Sequence, residues 1–234
     1  LMLTRADQVF NAPYLYIYND NRNGTLTIGG ENTSGSVYFG SRDNSVNFSM
    51  QITNQTSERD VRFLQVRGGT LVWNGRLADE NTTPESFNSS ISIVGPGTVI
   101  FNRNAIGNSS VDRWNFMGGE AHWSSMTGND QFAGNSTNAL VGQSTWGGGG
   151  LVLDAAGIAV SQQLNSHIWL LNGASSINTQ NNTTLILGNA AANLTRRSGS
   201  SLAFLEDGRL TQNEINAAFQ QSVQLKNVKK EPKA

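Results

Sequence analysis

The chain has 234 residues and a formal net charge of −1, and 14% of its residues are charged, against a typical ~25%. It contains no cysteine, which excludes zinc fingers, iron–sulfur sites, thiol enzymes and disulfides. No stretch approaches the ~20 apolar residues of a membrane-spanning helix, so no transmembrane segment is expected.

Basic residues are few in the body of the chain. All four lysines fall in the last nine residues, and the first 225 residues hold 12 arginines against 16 carboxylates. Binding to nucleic acid needs a basic surface that neutralises phosphates, so we expect no nucleic-acid partner.

Small polar and turn-forming residues dominate the composition, with 28 Asn, 24 Ser, 18 Thr and 25 Gly. Such a composition is typical either of disorder or of many short strands joined by tight turns. The apolar residues fall in short, regular clusters along the chain, and this favours strands. Strands are predicted at residues 14–18, 46–52, 151–153 and 183–187, while helical periodicity is almost absent before about residue 205.

A repeated unit of strand, glycine turn and strand begins near residue 60. It recurs over residues 61–75, 90–102, 113–125, 144–155 and 167–179, and its anchoring glycines (Gly69, Gly97, Gly119, Gly149 and Gly173) are 28, 22, 30 and 24 residues apart. This period predicts an all-β chain, a right-handed parallel β-helix of six to eight coils. The alternative is a sandwich, with Asn23-Gly24 and Asn74-Gly75 as hairpin turns.

Two segments also carry a family resemblance. Residues 73–79 run WNGRLAD, and residues 92–101 run SIVGPGTVIF; residues 24–37 are similar to the second of these. This pattern resembles bacterial autotransporter passenger domains and secreted proteins with autotransporter-associated β-strand repeats. The resemblance covers about half the chain and implies a β-helix in an extracellular bacterial setting, without implying a particular activity.

The C-terminal residues change in character. Thr211 and Glu214 form a capping box that predicts a helix over about 211–225. The predicted organisation is a β-helix body over 1–204, a capping helix region over 205–225 and a basic tail over 226–234. The helix either covers the last coil or, as the resemblance suggests, is a linker toward a translocation domain.

The expected function is that of an extracellular or cell-surface structural protein that self-associates into a fibre or surface layer. No basic-then-apolar leader opens the chain, so a secretion signal is expected to lie outside it. The expected junctions are Tyr14, Tyr16 and Tyr18 at one end and Ile215 and Phe219 at the other.

An adhesin or carbohydrate-binding passenger with surface glycans as partners is the alternative. It rests on the five tryptophans, which either stack on sugar rings or fill the interior: Trp73, Trp114, Trp123, Trp146 and Trp169.

A polysaccharide hydrolase or lyase is the second alternative, and it requires carboxylates gathered from neighbouring coils. The candidates are Asp43, Asp60, Asp79, Glu80, Asp112, Glu120, Asp130 and Asp154, of which Asp79, Asp112 and Asp130 are expected to share one side. No nucleophile elbow is present, and neither His122 nor His167 has a partner at ligand spacing. We therefore expect no catalytic residue, metal or cofactor.

Asn-x-Ser/Thr tripeptides occur eleven times, against about five expected from composition. They are candidate glycosylation acceptors, or corners that favour Asn followed by a hydroxyl residue. They begin at Asn23, Asn32, Asn47, Asn54, Asn81, Asn88, Asn108, Asn135, Asn181, Asn182 and Asn193.

Overall fold

The fold is a parallel β-solenoid, seen in a computed structural model of the chain. The structure describes residues 1–12, 14–17, 24–42, 48–52, 59–79, 89–102, 113–123, 143–154, 160–163, 167–181, 183–186, 194–206 and 209–210. Every strand in these ranges except the last pairs with a strand from a neighbouring coil, and none of these residues is helical. The prediction of an all-β, parallel solenoid is confirmed, and the antiparallel sandwich is wrong.

Sheet A has eight parallel strands and forms one face of the solenoid. In spatial order these are β1 (Met2–Leu3), β4 (Gly24–Gly30), β7 (Arg59–Gln65), β10 (Ser89–Val94), β12 (Arg113–Met117), β14 (Gln143–Trp146), β17 (His167–Leu170) and β20 (Leu194–Arg196).

Sheet B forms a second face and has nine strands. Their order is β2 (Val9–Phe10), β5 (Ser36–Phe39), β8 (Thr70–Trp73), β11 (Thr98–Phe101), β13 (Glu120–Trp123), β15 (Gly150–Asp154), β18 (Gly173–Gln180), β21 (Ser200–Glu206) and β22 (Arg209–Leu210). Only β22 is antiparallel to its neighbour among these strands, and it pairs with Leu205 and Glu206 at the end of β21.

Two short parallel sheets follow sheet B along the chain. Sheet C contains β3 (Tyr14–Ile17), β6 (Phe48–Ile52) and β9 (Gly75–Asp79), and sheet D contains β16 (Val160–Gln163) and β19 (Thr183–Ile186). Asn74-Gly75 therefore joins β8 of sheet B to β9 of sheet C, so its interpretation as a hairpin turn is wrong.

The C-terminal boundary of the described fold lies beyond residue 204, where the body was predicted to end. β21 continues through Glu206, and β22 pairs back onto it at residues 209–210. The predicted helix over about 211–225 and the basic tail lie outside the described residues.

The repeat found in the sequence corresponds to one passage from sheet A to sheet B. Each of its five copies places one strand in each sheet, with glycine at the corner between them. Register partners in sheet B are 22 to 30 residues apart from Thr70 onward, and 34 residues separate Ser36 from Thr70. The chain thus keeps its register while the length between strands varies.

The core consists of apolar columns that run from coil to coil. One column in sheet A contains Ile28, Phe63, Ile93, Phe116, Trp146 and Leu170, which are successive register partners and are all buried. The facing column in sheet B contains Val37, Leu71, Val99, Ala121, Leu151, Ile177 and Phe204, also buried. Because side chains alternate along a strand, each strand contributes every second residue to the interior.

Buried amides tie neighbouring corners together. The Gln65 amide nitrogen donates to the backbone oxygen of Asn32 at 3.0 Å and to its Oδ1 at 3.1 Å. At a second corner, Asn74 Nδ2 donates to the Ser41 carbonyl at 2.7 Å, and Asn102 Nδ2 donates to Asn74 Oδ1 at 3.0 Å. Gln65 and Asn74 are both fully buried, so these bonds replace water for the Asn74 amide and for the amide nitrogen of Gln65, whose Oε1 has no partner.

Candidate functional site

Three of the five tryptophans fill the interior. Trp73, Trp114 and Trp146 are at most 1% exposed. They belong to a continuous chain of rings whose neighbouring centroids are 4.2 to 6.5 Å apart, in the order Phe10, Phe39, Trp73, Phe63, Phe101, Trp114, Phe116 and Trp146. Burial removes these three indoles from any surface that could stack on sugar rings, so the glycan-stacking role is wrong for them.

The interior also provides a partner for a buried indole nitrogen. Trp146 Nε1 donates to Ser144 Oγ at 3.1 Å, and Ser144 lies two residues earlier on the same strand and is itself buried. Trp146 stacks on Phe116 with ring centroids 4.2 Å apart and an interplanar angle of 20°. The hydrogen bond that Ser144 accepts from the buried Trp146 indole thus explains why a serine stands in an otherwise apolar column.

Trp169 lies on the outside of the solenoid. In β17, Ile168 and Leu170 are buried, whereas His167 and Trp169 are partly exposed, so the two rings share the outer face of sheet A. Trp123 belongs to β13, and its side chain is outside the described part of the structure. Of the four tryptophans whose side chains the structure describes, three are buried and Trp169 is partly exposed.

We name the group of His167, Trp169, Thr145 and Thr195 the His–Trp platform. The His167 and Trp169 ring centroids are 5.1 Å apart with an interplanar angle of 33°. Thr145 and Thr195 are the register partners of Trp169 on the two neighbouring strands. A hydrogen bond of 2.8 Å joins His167 Nε2 to Thr195 Oγ1 and orients the imidazole beside the indole.

The platform lies at one end of a column of polar side chains. The column takes one outward residue from each of seven successive strands of sheet A: Thr27, Arg62, Ser92, Asn115, Thr145, Trp169 and Thr195. Asn115 Nδ2 donates to Ser92 Oγ at 3.0 Å within it. At the spacing of neighbouring strands the column is about 29 Å long, and Arg62 is its one charged member.

A second polar cluster lies on the outer face of sheet B. His122 Nε2 is 3.8 Å from Asp154 Oδ2, and the two side chains are 26% and 19% exposed. Asn181 Nδ2 donates to Asp154 Oδ1 at 2.9 Å. Sequence spacing alone gives His122 no partner, but the pairing of β13 with β15 places Asp154 next to it.

This cluster holds one histidine and one carboxylate, which is less than a metal site needs. In the part of the chain that the structure describes, no three His, Cys, Asp or Glu side chains gather to hold a metal ion. No metal role follows from the contact between His122 and Asp154.

Among the eight candidate carboxylates, Glu120 and Asp154 are the two whose side chains the structure describes. Glu120 aligns with Gly150 on β15, four residues before Asp154, which places the two acidic positions about 13 Å apart along the sheet. Glycoside hydrolysis uses carboxyl groups no more than ~10 Å apart. Asp60 and Asp79 lie in β7 and β9 without described side chains, and Asp43, Glu80, Asp112 and Asp130 are outside the described residues.

The residues predicted as assembly junctions are partly located. Tyr14 and Tyr16 lie in β3, which is the terminal strand of sheet C, although their side chains are not among those described. Tyr18, Ile215 and Phe219 lie outside the described residues. A role of these residues in assembly stays a prediction.

Two of the eleven Asn-x-Ser/Thr tripeptides begin at described residues. Asn32 is 3% exposed, and its Nδ2 donates to the Gly35 carbonyl at 2.7 Å, so its amide is inaccessible in the folded chain and we expect no glycan there. Asn181 is exposed. The other nine lie outside the described residues: Asn23, Asn47, Asn54, Asn81, Asn88, Asn108, Asn135, Asn182 and Asn193.

The sequence contained a usable signal for the platform. Residues two apart on a strand share a face, so the spacing of His167 and Trp169 already predicts neighbouring rings. Thr145 and Thr195 could not be found in this way, since they belong to other coils.

No transmembrane-length apolar helix is found among the described residues. Comparisons with protein-family models, with curated proteins and with solved structures gave no match to this chain. The resemblance to autotransporter passenger domains stays a prediction from the residues that carry it.

Proposed function

We propose that this protein is an extracellular structural subunit that self-associates end to end into a fibre or surface layer. The observation that carries the proposal is the position of the first three strands. In the described part of the chain, β1, β2 and β3 are the terminal strands of sheets A, B and C. They lie within 17 residues, so they form one end of the solenoid. Edge strands are templates for pairing with another chain.

The finer features of the fold belong to the same proposal. The solenoid is right-handed and has six to eight coils, and a helix over about 211–225 forms the second junction. The antiparallel strand β22 supports a difference between the two ends, because it pairs with the last two residues of β21. We therefore place the main contact between copies at the end made by β1, β2 and β3.

A matched pair of valines tests this contact. Val9 lies in β2 at the proposed junction and is 39% exposed, while Val66 follows β7 and is 40% exposed. A lysine in an edge strand opposes edge-to-edge pairing, so Val9→Lys is expected to abolish self-association and Val66→Lys to preserve it. Light scattering over a range of concentrations measures both. A wild-type protein that stays monomeric at high concentration, or equal behaviour of the two variants, would refute the proposal.

A carbohydrate-binding passenger is the second candidate. It is favoured by Trp169, because a partly exposed indole on an outer sheet face offers an apolar ring to a ligand. Binding of soluble glycans to the wild-type protein tests it, and this measurement is independent of self-association.

A further inference from the structure

We infer that the His–Trp platform binds a neutral oligosaccharide, with Trp169 as the ring on which one sugar stacks. This inference rests on the carbohydrate-binding candidate function and assigns it a place and a ligand class. Three features of the outer face of sheet A support it: the position of the indole, its polar neighbours and the local charge.

Trp169 is not needed to fill the interior. The interior column of β17 is already filled by Ile168 and Leu170, and both are buried. The residues on either side of Trp169 in its outward column are threonines, so the indole does not extend an apolar patch of that column. A large apolar ring among short polar side chains fits a ligand that has one apolar face.

The neighbours of the indole supply hydrogen-bonding groups. Thr145 and Thr195 flank it by one strand on each side, and His167 lies two residues away on the same strand. The bond between His167 and Thr195 holds the imidazole in place, so the polar groups are positioned before a ligand binds. A pyranose ring offers a matching surface, with C–H groups on one face and hydroxyl groups around its rim.

The charge of the surroundings selects among sugars. Arg62 is the charged member of the polar column, and it lies four strands from Trp169, about 19 Å away. Arg196 follows Thr195, but it is the register partner of the buried Leu170, so alternation places it on the face of β20 opposite Thr195, and its Nε donates to the Ser200 carbonyl at 2.7 Å. Anionic sugars need a cationic partner to offset the loss of hydration, so the platform suits uncharged hexoses or N-acetylhexosamines.

The remaining column suggests how a chain of sugars would lie. Asn115 and Thr145 continue the outward line from Trp169 toward Arg62 with polar, partly exposed side chains. As far as Asn115, each strand adds a hydrogen-bonding position at intervals of about 4.8 Å, and Ser92 beyond it is buried. An oligosaccharide stacked on Trp169 therefore extends across the strands, along the axis of the solenoid.

The test uses the full chain and calorimetric titration with defined hexasaccharides. The neutral probes are β-linked hexamers of glucose, of mannose and of N-acetylglucosamine, and the charged probe is a hexamer of galacturonic acid. We expect at least one neutral hexamer to bind and the charged hexamer not to bind. Trp169→Ala should weaken the binding roughly tenfold or more, and Trp169→Phe should restore part of it.

Met117→Ala is the matched control. Met117 is 39% exposed and lies on β12 of the same sheet, but outside the polar column. Its truncation removes an exposed apolar side chain and should leave the affinity unchanged. Circular dichroism of each variant verifies that the fold is retained.

The outcomes separate the inference from the function on which it rests. If the wild-type protein binds none of the four hexamers, both are wrong. If it binds one and Trp169→Ala binds equally well, the platform is wrong while carbohydrate binding stands. If the galacturonic acid hexamer binds most tightly, the inferred ligand class is wrong.

Discussion

Two adjacent glycines allow the packing of one coil on the next to be measured. Gly68 and Gly69 lie at the corner between β7 and β8, and neither has a φ in the left-handed region. A methyl group at Gly69 would lie 2.4 Å from the backbone oxygen of Asn32 and 2.3 Å from its Nδ2. A methyl group at Gly68 would meet no atom closer than the Thr33 carbonyl oxygen at 3.6 Å.

The expected magnitudes follow from these distances. Replacing glycine by alanine restricts the unfolded chain and stabilises the fold by ~0.4–1 kcal/mol when the site accepts the methyl group. This gain is the same at neighbouring positions. Only Gly69→Ala also forces the Asn32 backbone to move, and overpacking of this kind costs ~1–3 kcal/mol. Gly68→Ala should therefore be slightly stabilising, and Gly69→Ala should lie below it in free energy of unfolding by ~1–3 kcal/mol.

Urea denaturation followed by tryptophan fluorescence and circular dichroism measures the difference. The two signals must coincide and the m-values must agree, because repeat folds can depart from two-state behaviour. If Gly69→Ala unfolds at the same urea concentration as Gly68→Ala, or at a higher one, the corner is not close-packed and the reasoning is wrong.

Three further predictions concern buried and exposed groups. Asn74→Ala removes both hydrogen bonds of a fully buried amide and should cost ~1–3 kcal/mol in urea denaturation; an unchanged midpoint would contradict it. Phe116→Ala should cost ~3–5 kcal/mol because it opens a cavity beneath a stacked ring, whereas Met117→Ala next to it should cost less than ~1 kcal/mol, and equal thermal shifts would argue against the burial pattern. After secretion from a glycosylating host, peptide mass mapping should find glycan on Asn181 and none on Asn32; an occupied Asn32 would show that its corner forms late or not at all.

The coil could be predicted from the sequence because its signal is local. A short strand, a glycine corner and a second strand recur within about fifteen residues, and all five predicted copies place their strands in sheets A and B. Close approach of neighbouring corners explains the glycines, since a methyl group at Gly97 would lie 2.3 Å from the Arg67 carbonyl oxygen. The same holds at Gly119 and Gly149, where a methyl group would lie 2.4 and 2.8 Å from backbone atoms of the preceding coil, while Gly173 is needed for its φ of 75°. Glycine therefore recurs at the corners and leaves a periodic trace in the sequence.

The faces of two aromatic strands could not be predicted in the same way. Residues 113–117 and 167–170 both place large side chains two residues apart, yet Trp114 is buried and Trp169 lies outside. Apolar residues occupy both faces of the second strand, so alternation gives no answer. Its neighbours decide the face, because a slip of one residue would exchange the interior and exterior sets.

The contact between His122 and Asp154 has the same origin. It joins residues 32 positions apart and depends on the register of β13 with β15. The sequence named both residues but could not place them together, because the length of chain between successive strands is not constant.

The number of residues between aligned strands varies from coil to coil, and the solenoid should therefore accept inserted peptides between its strands. Thr98 and Glu120 are aligned across 22 residues and Ser36 and Thr70 across 34, while the pairing of sheets A and B continues unbroken. Lengthening a connection raises the entropic cost of closing the loop only slowly, by about 0.6 kcal/mol for each doubling of its length. A foreign peptide inserted between β11 and β12, or between β13 and β14, is therefore expected to leave both sheets in register. Peptides inserted in successive coils would then be spaced along the solenoid axis by the constant distance between neighbouring strands.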